Sequence, residues 1–181
     1  MRFHELSVAG AWRIDTDLLG DGRGPFSRIW CAAEFGERGL PASLSQASIS
    51  GNVRRATLRG MHYRSATDDE YKLVRCIRGA VYDVVLDLRP ESPSFLRWDS
   101  VHLSAENRAA ICIPPGCAHG FLTMADESDL LYMMSVAYRP HAESGVRWDD
   151  PAFGIAWPEQ PAVIAPRDAS YPDYDARESS T

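Results

Sequence analysis

The chain has 181 residues, of which 45% are hydrophobic and 24% charged, with a formal net charge of −6; that suffices for one domain with a substantial core. The acidic balance argues against a polyanion-coating surface, so no nucleic-acid partner is expected. No apolar run approaches the length of a membrane span, and charge interrupts the N-terminus too early for a secretory segment, so a cytoplasmic protein with no membrane partner is expected.

Residues 1 to about 30 read as polar and turn-rich, with Gly20-Asp21-Gly22-Arg23-Gly24-Pro25 forming a loop before an apolar segment. A short helix is predicted around Cys31 to Arg38. From about 44 to 138, short β-like runs alternate with turns. Lys72 to Arg78 is one such run; after Gly79, Ala80 to Leu88 alternates with period two. Ala80, Tyr82, Val84, Leu86 and Leu88 fall on one face of that strand, and Val81, Asp83, Val85 and Asp87 on the other. Arg89-Pro90-Glu91-Ser92-Pro93 supplies the turn that closes it. Ala109 to Ile113 forms a further strand, ended by Pro114-Pro115-Gly116, and Leu130 to Tyr138 a longer one. Beyond residue 139 the chain is rich in Pro, Asp and Trp, and 173–181 reads as a solvated tail. Short strands with frequent Gly and Pro punctuation predict a single all-β domain over 1–181, a sandwich or small barrel with a few short helices.

Cys31, Cys76, Cys112 and Cys117 include no C-x-x-C pair, which suits buried thiols in a reducing compartment better than a zinc site. Of the 19 basic residues, all but Lys72 are arginine. Codon bias accounts for the excess of arginine. The lone lysine is either a chance survivor or a position that needs a compact point charge, and composition leaves both open.

Two motifs carry more. Pro114-Pro115-Gly116-Cys117-Ala118-His119 has the P-x-G-x-x-H spacing of the second cupin motif. Gly60-Met61-His62-Tyr63-Arg64 stands where a metal-binding cupin presents an H-x-H pair, with Arg64 replacing the second histidine. A guanidinium is neither a neutral nor an anionic donor, so no metal is expected, and His62 is released to act as a base. The jelly roll remains the expected fold.

The stretch from Gln46 through Asn52, Arg54-Arg55 and Thr57 to Tyr63 resembles the signature of the dTDP-4-dehydrorhamnose 3,5-epimerase family. So do Lys72-Leu73-Val74, Val81-Tyr82-Asp83-Val84, Asp87 to Pro93, Ile113 to Phe121, Trp148-Asp149-Asp150-Pro151, Ile155-Ala156-Trp157-Pro158 and Arg167-Asp168, in collinear order over roughly residues 12 to 172. The resemblance implies a cupin-type β jelly roll that forms a homodimer, with the segment of about 1–30 reaching the partner subunit. It implies a nucleotide-linked 4-keto-6-deoxy hexose as substrate, no cofactor, and epimerisation at C-3, C-5 or both by proton abstraction and return. His62 matches the base, Asp168 its dyad partner, Tyr132 the proton donor on the opposite face and Lys72 the ammonium near the ketone. Arg23 and Arg59 match arginines that contact the diphosphate. Phe26, Gln46, His119, Tyr138 and Glu143 are the other substrate contacts it implies. Ser48, Ala56 and Arg64 depart from the usual Asn, Gly and Gln.

The chemistry asks for these residue types. A C–H beside a ketone gives up its proton only if the enolate oxygen is stabilised as it forms, which a fixed ammonium does. Histidine as a residue type titrates near neutrality and suits the base, a neighbouring carboxylate fixes its tautomer, and inversion needs a donor on the other face. Two alternatives stand beside this: a non-catalytic sugar-binding cupin, separable by solvent-isotope exchange, and a metal-dependent cupin isomerase or oxygenase, separable by metal analysis.

Overall fold

Alternation of apolar and polar residues builds strands, and the turns read from the sequence separate them. The structure, a computed structural model, describes residues 1–139 and 143–175; the last six residues of the expected tail lie outside them. The N-terminal strands are β1 (Arg2–Glu5), β2 (Trp12–Asp15), β3 (Leu18–Asp21) and β4 (Gly24–Ser27), followed by helix α1 (Ala32–Gly36). The body comprises β5 (Gln46–Asn52), β6 (Thr57–Tyr63), β7 (Lys72–Arg78), β8 (Ala80–Asp87), β9 (Trp98–Ser104), β10 (Ala110–Ile113), β11 (Cys117–Thr123) and β12 (Ser128–Met134). A single 3-10 turn, Ala66–Asp68, lies between β6 and β7. The C-terminal segment adds β13 (Ser144–Gly145), β14 (Val163–Ile164) and helix α2 (Pro166–Ala169).

Two sheets stack as a jelly-roll sandwich. One has the order β1-β2-β10-β7-β12-β5; the other has the order β13-β6-β11-β8-β9, with β14 also pairing β6. Val81 and Val85 of β8 point inward with Val74, Phe121 and Leu130 into the core between the sheets, while Val84, Leu86 and Leu88 point outward beneath Val146 and Phe153. The two faces read from the alternation of β8 are the two faces observed. Each fully buried aliphatic or aromatic side chain of this core contributes roughly 1.5–3 kcal/mol. Cys76, Cys112 and Cys117 are buried and all four cysteines are free; burial pushes the Cys112 thiol up to about 12. Among the described residues no helix is long and apolar enough to cross a membrane.

Two expectations change. The N-terminal zone holds four strands rather than turns alone, because β2 pairs with β10 (Ala110↔Ile14, Ile111↔Arg13), β1 pairs with β2, and β3 pairs with β4. The strand expected to reach Tyr138 stops at Met134. Ser135 then leaves the ladder, its Oγ accepting the Tyr71 N–H at 2.9 Å and donating to the Asp69 carbonyl at 3.2 Å.

The crossing of β6 and β11 is unusually close. A Cβ on Gly60 would lie 2.5 Å from Gly120 Cα, and one on Gly120 would lie 3.0 Å from the Arg59 carbonyl oxygen. Two glycines therefore face each other where the register shifts between His119 and Phe121. This close approach sets His62 and His119 directly opposite each other on adjacent strands. Ala56 holds a φ of 54° at the entry to β6, the left-handed region that favours glycine.

Candidate active site

One cavity of about 580 Å³ opens between the sheets. Its walls follow from strand register. His62 on β6 and His119 on β11 come from one sheet. Tyr132 on β12 lies opposite Val74 of β7, and Lys72, two residues before Val74, shares that face, so Tyr132 and Lys72 come from the other sheet. All four line the cavity.

Asp168 reaches His62 by an indirect route. β14 runs parallel to the start of β6, with Val163 beside Thr57 and Ile164 beside Leu58. The chain therefore continues in the direction of His62, and α2, begun by Pro166 at its first position, delivers Asp168 beside it. Asp168 is 4% exposed, its Oδ1 is 2.8 Å from His62 Nε2 and its Oδ2 accepts the Gly60 N–H at 3.1 Å. The carboxylate is thus buried against the strand that carries His62. The other ring nitrogen, Nδ1, is 4.0 Å from Glu143 Oε1.

His119 has its own carboxylate, with Nε2 2.9 Å from both oxygens of Asp83. Asp83 is wholly buried, and desolvation pushes its carboxyl up while His119 pulls it down. The ring of Tyr132 sets its edge against that of His119, centroids 5.7 Å apart. Desolvation between the sheets raises the Tyr132 hydroxyl well above the ordinary phenol value; the Asp83 and Glu143 charges add to this and Arg59 opposes it. The phenol is held in its neutral, proton-bearing form.

The remaining sequence candidates divide. Arg59 lines the cavity, its Nε donating to Asn52 Oδ1 at 2.7 Å and its Nη2 to the Gly51 carbonyl at 3.2 Å. Glu143 lines it too. Gln46 stands at the start of β5 outside the lining, its amide donating to the Val136 carbonyl at 3.2 Å. Tyr138 is 70% exposed and lies off the strand. Arg23 and Phe26 sit on the β3–β4 hairpin, where Arg23 pairs with Asp21 and Phe26 is 71% exposed. Within one chain these four are not brought to the cavity.

Three neighbours were not singled out from the sequence. Asp83 had a signal, being a carboxylate on a strand face otherwise made of Val81 and Val85. Arg167 lines the cavity 3.6 Å from Glu143, and only its place beside Asp168 hinted at it. Tyr171 sets its ring edge-on to His62 at 6.5 Å and packs on Gly145, where a Cβ would lie 2.1 Å from the ring; nothing in the sequence pointed to it.

The donor set does not suit a metal ion. Arg64, standing where a metal-binding cupin has its second histidine, is a cation paired with Glu70 at 3.2 Å, and among the described residues no group of three His, Cys, Asp or Glu is clustered to hold a metal. The arrangement suits proton transfer: two imidazole–carboxylate pairs on one wall, a neutral phenol and an ammonium on the other.

Comparison with known proteins agrees with this chemistry. The family model for dTDP-4-dehydrorhamnose 3,5-epimerase matches residues 5–176. A dTDP-4-dehydrorhamnose 3,5-epimerase of Mycolicibacterium smegmatis is 42% identical over 174 residues, 95% of this chain and 85% of that protein. A dTDP-4-dehydrorhamnose 3-epimerase of Streptomyces niveus is 38% identical over 169 residues, 93% of this chain and 81% of its own. Among solved structures, a 4-keto-6-deoxy sugar epimerase from the novobiocin biosynthetic gene cluster of Streptomyces spheroides superposes with a TM-score of 0.91 at 36% identity, covering 99% of this chain and 89% of that one.

Proposed function

The chain belongs to the dTDP-4-dehydrorhamnose 3,5-epimerase family, and from that premise we propose how its residues divide the epimerisation of a dTDP-linked 4-keto-6-deoxy hexose. His62 removes the proton from a carbon beside the ketone. Its Nε2 faces Asp168, a carboxylate that accepts the ring N–H and stabilises the imidazolium, so Nδ1 receives the substrate proton. Lys72 faces the ketone oxygen and stabilises the negative charge that forms there. Tyr132 returns a proton from the opposite side and is recharged by solvent. The observation that carries this division is that His62 and Tyr132 line one cavity from different sheets, which is what inversion of a planar intermediate requires.

Arg59 and Arg167 at the cavity wall suit the diphosphate, and His119 with its Asp83 partner suits a sugar hydroxyl. Arg23 and Phe26 serve the cavity of a second subunit in a homodimer, with Gln46 and Tyr138 completing the site once substrate and partner are in place. The hairpin supports this: Leu18, Leu19 and Phe26 are 56%, 68% and 71% exposed, a large apolar surface to leave in water.

Incubation with dTDP-4-keto-6-deoxyglucose in heavy water tests the reading. Deuterium enters at the epimerised carbon as followed by NMR, and His62→Ala abolishes entry and inversion together. Deuterium entry undiminished in His62→Ala would remove His62 as the base.

A further inference from the structure

Lys72 does not stand alone. Its Nζ lies 2.8 Å from Glu70 Oε2, and Arg64 Nη1 lies 3.2 Å from Glu70 Oε1; the three side chains are 13%, 4% and 7% exposed in the order Lys72, Glu70, Arg64. Lys72 lines the cavity, whereas Glu70 and Arg64 lie outside its lining. The backbone on both sides of Glu70 is fixed, since Ser135 Oγ accepts the Tyr71 N–H and donates to the Asp69 carbonyl. Arg64 is tied in turn by its Nη2, which donates to the Arg139 carbonyl at 3.3 Å.

Burying three charges is costly, and apolar residues of similar size would fill such a site at no loss of stability. The electrostatics point to a use. Glu70 paired with Lys72 alone would hold the ammonium in place but cancel its charge as seen from the cavity. With Arg64 on the second carboxylate oxygen, the cluster carries a net charge of about +1 at its cavity end. The ammonium, 2.8 Å from Glu70 Oε2, spends one of its three N–H groups on that contact and keeps others to turn toward a ligand oxygen.

We propose that Glu70 and Arg64 form a positioning pair, which fixes the Lys72 ammonium and keeps its charge available to the enolate oxygen. The proposal rests on the reading of Lys72 as the enolate stabiliser. Four variants test it, each with kcat and KM measured for deuterium entry and for epimer formation: Lys72→Met, Glu70→Gln, Arg64→Gln and the double Glu70→Gln/Arg64→Gln. Lys72→Met is expected to lose about a hundredfold or more in kcat. Each single amide variant is expected to lose about tenfold in kcat with KM changed by less than about threefold, one by stranding two cations side by side, the other by closing a neutral ion pair. The double variant restores the net charge and is expected to return to within about threefold of the unaltered protein.

A double variant whose loss equals the product of the two single losses overturns the proposal, as do single variants of unchanged kcat beside an inactive Lys72→Met. Unchanged turnover in Lys72→Met is a different failure and removes the reading of Lys72 itself. If Glu70→Gln does not fold, Glu70→Asp keeps the charge but withdraws it by one methylene; a lowered kcat at constant KM supports the pair, and an unaltered kcat counts against it.

Discussion

Asp168 divides its carboxylate between His62 and the strand that carries His62: one oxygen is 2.8 Å from the ring Nε2, the other accepts the N–H of Gly60 at 3.1 Å. Because Gly60 is two residues before His62 on β6, the ring and its carboxylate are referenced to the same piece of backbone. A shift of α2 against β6 is resisted at two points, and the ring orientation is held with it. On the proposed function this geometry gives Asp168 the tautomer-fixing role of a triad carboxylate, reached here from a strand and a one-turn helix.

Asp168→Asn tests that role with little change of shape. The amide can present N–H to Nε2 and leave the proton on the wrong ring nitrogen. Deuterium entry and epimer formation are expected to fall together by about 10² to 10⁴. A fall in only one of the two rates, measured in the same NMR experiment, would assign Asp168 to a single proton-transfer step and contradict the dyad.

Tyr132→Phe separates the two faces. Abstraction by His62 remains possible, but the intermediate is reprotonated only from the side it left, so deuterium enters faster than inversion occurs. In the unaltered protein the Tyr132 hydroxyl is held well above its ordinary value by desolvation first and then by the Asp83 charge. A raised value for an acid keeps the proton-bearing form to higher pH, so the ratio of inversion to exchange is expected to stay constant up to about pH 10. A ratio that falls from neutrality upward would show that the donor is a group with a lower titration point, and equal inversion and exchange in Tyr132→Phe would remove the tyrosine from the role.

What the sequence disclosed depended on whether a feature is local. The faces of β8, the turn after it and the two histidine motifs were legible because period-two alternation and Gly/Pro punctuation act within a few residues. The resemblance supplied His62, Asp168, Tyr132 and Lys72, and the structure gathers these four at one cavity. The burial of Asp168 was not legible, since it comes from β14 pairing with β6 across more than a hundred residues. Glu70 lies in a short connection with no periodic pattern, so nothing marked it as the partner of both Arg64 and Lys72. Strand β12 ends four residues before Tyr138 because of Ser135 contacts to another loop, which alternation along one strand does not report.

Acid stability has a specific contributor away from the cavity. Asp87 is wholly buried and accepts from Arg89 Nε at 2.8 Å, Arg89 Nη2 at 2.8 Å, Ser94 Oγ at 2.6 Å and the Ser92 hydroxyl. Burial pushes its carboxyl up, but hydrogen bonds from Arg89, Ser92 and Ser94 together outweigh this and hold it at about 2. The folded value lies below the unfolded one of about 3.9. The stabilisation, roughly 2 kcal/mol, is therefore complete above about pH 4 and is lost as pH falls through about 2. Urea unfolding of the unaltered protein and Asp87→Asn between these limits is expected to show a gap that narrows by about that amount on acidification. A gap independent of pH would mean that Asp87 contributes through shape rather than charge.

The last prediction asks whose cavity the β3–β4 hairpin serves. Arg23 side-chain atoms are 91% exposed and pair only with the neighbouring Asp21 in the contacts described, while the cavity of the same chain is lined without Arg23 or Phe26. If the hairpin completes a second subunit's site, the two defects Arg23→Ala and His62→Ala fall in different sites of a hybrid dimer. The subunit carrying Arg23→Ala keeps its own His62 and receives an intact hairpin from its partner, so that one site is whole. The other site lacks both groups. Equal amounts of the two variants, allowed to exchange subunits at random, form hybrids in about half of the dimers, so about a quarter of all sites are complete. Co-expression with two affinity tags isolates the hybrid directly and gives about half the specific activity of the unaltered dimer. Each parent variant is expected to be impaired, Arg23→Ala chiefly in KM and His62→Ala in kcat, since one group binds and the other reacts. Activity in the purified hybrid above the mean of its parents, with the KM of the unaltered protein, supports exchange of the hairpin. A hybrid that equals the mean of its parents places Arg23 in service of its own chain or of none, and a protein that remains monomeric in light scattering removes the exchanged dimer altogether.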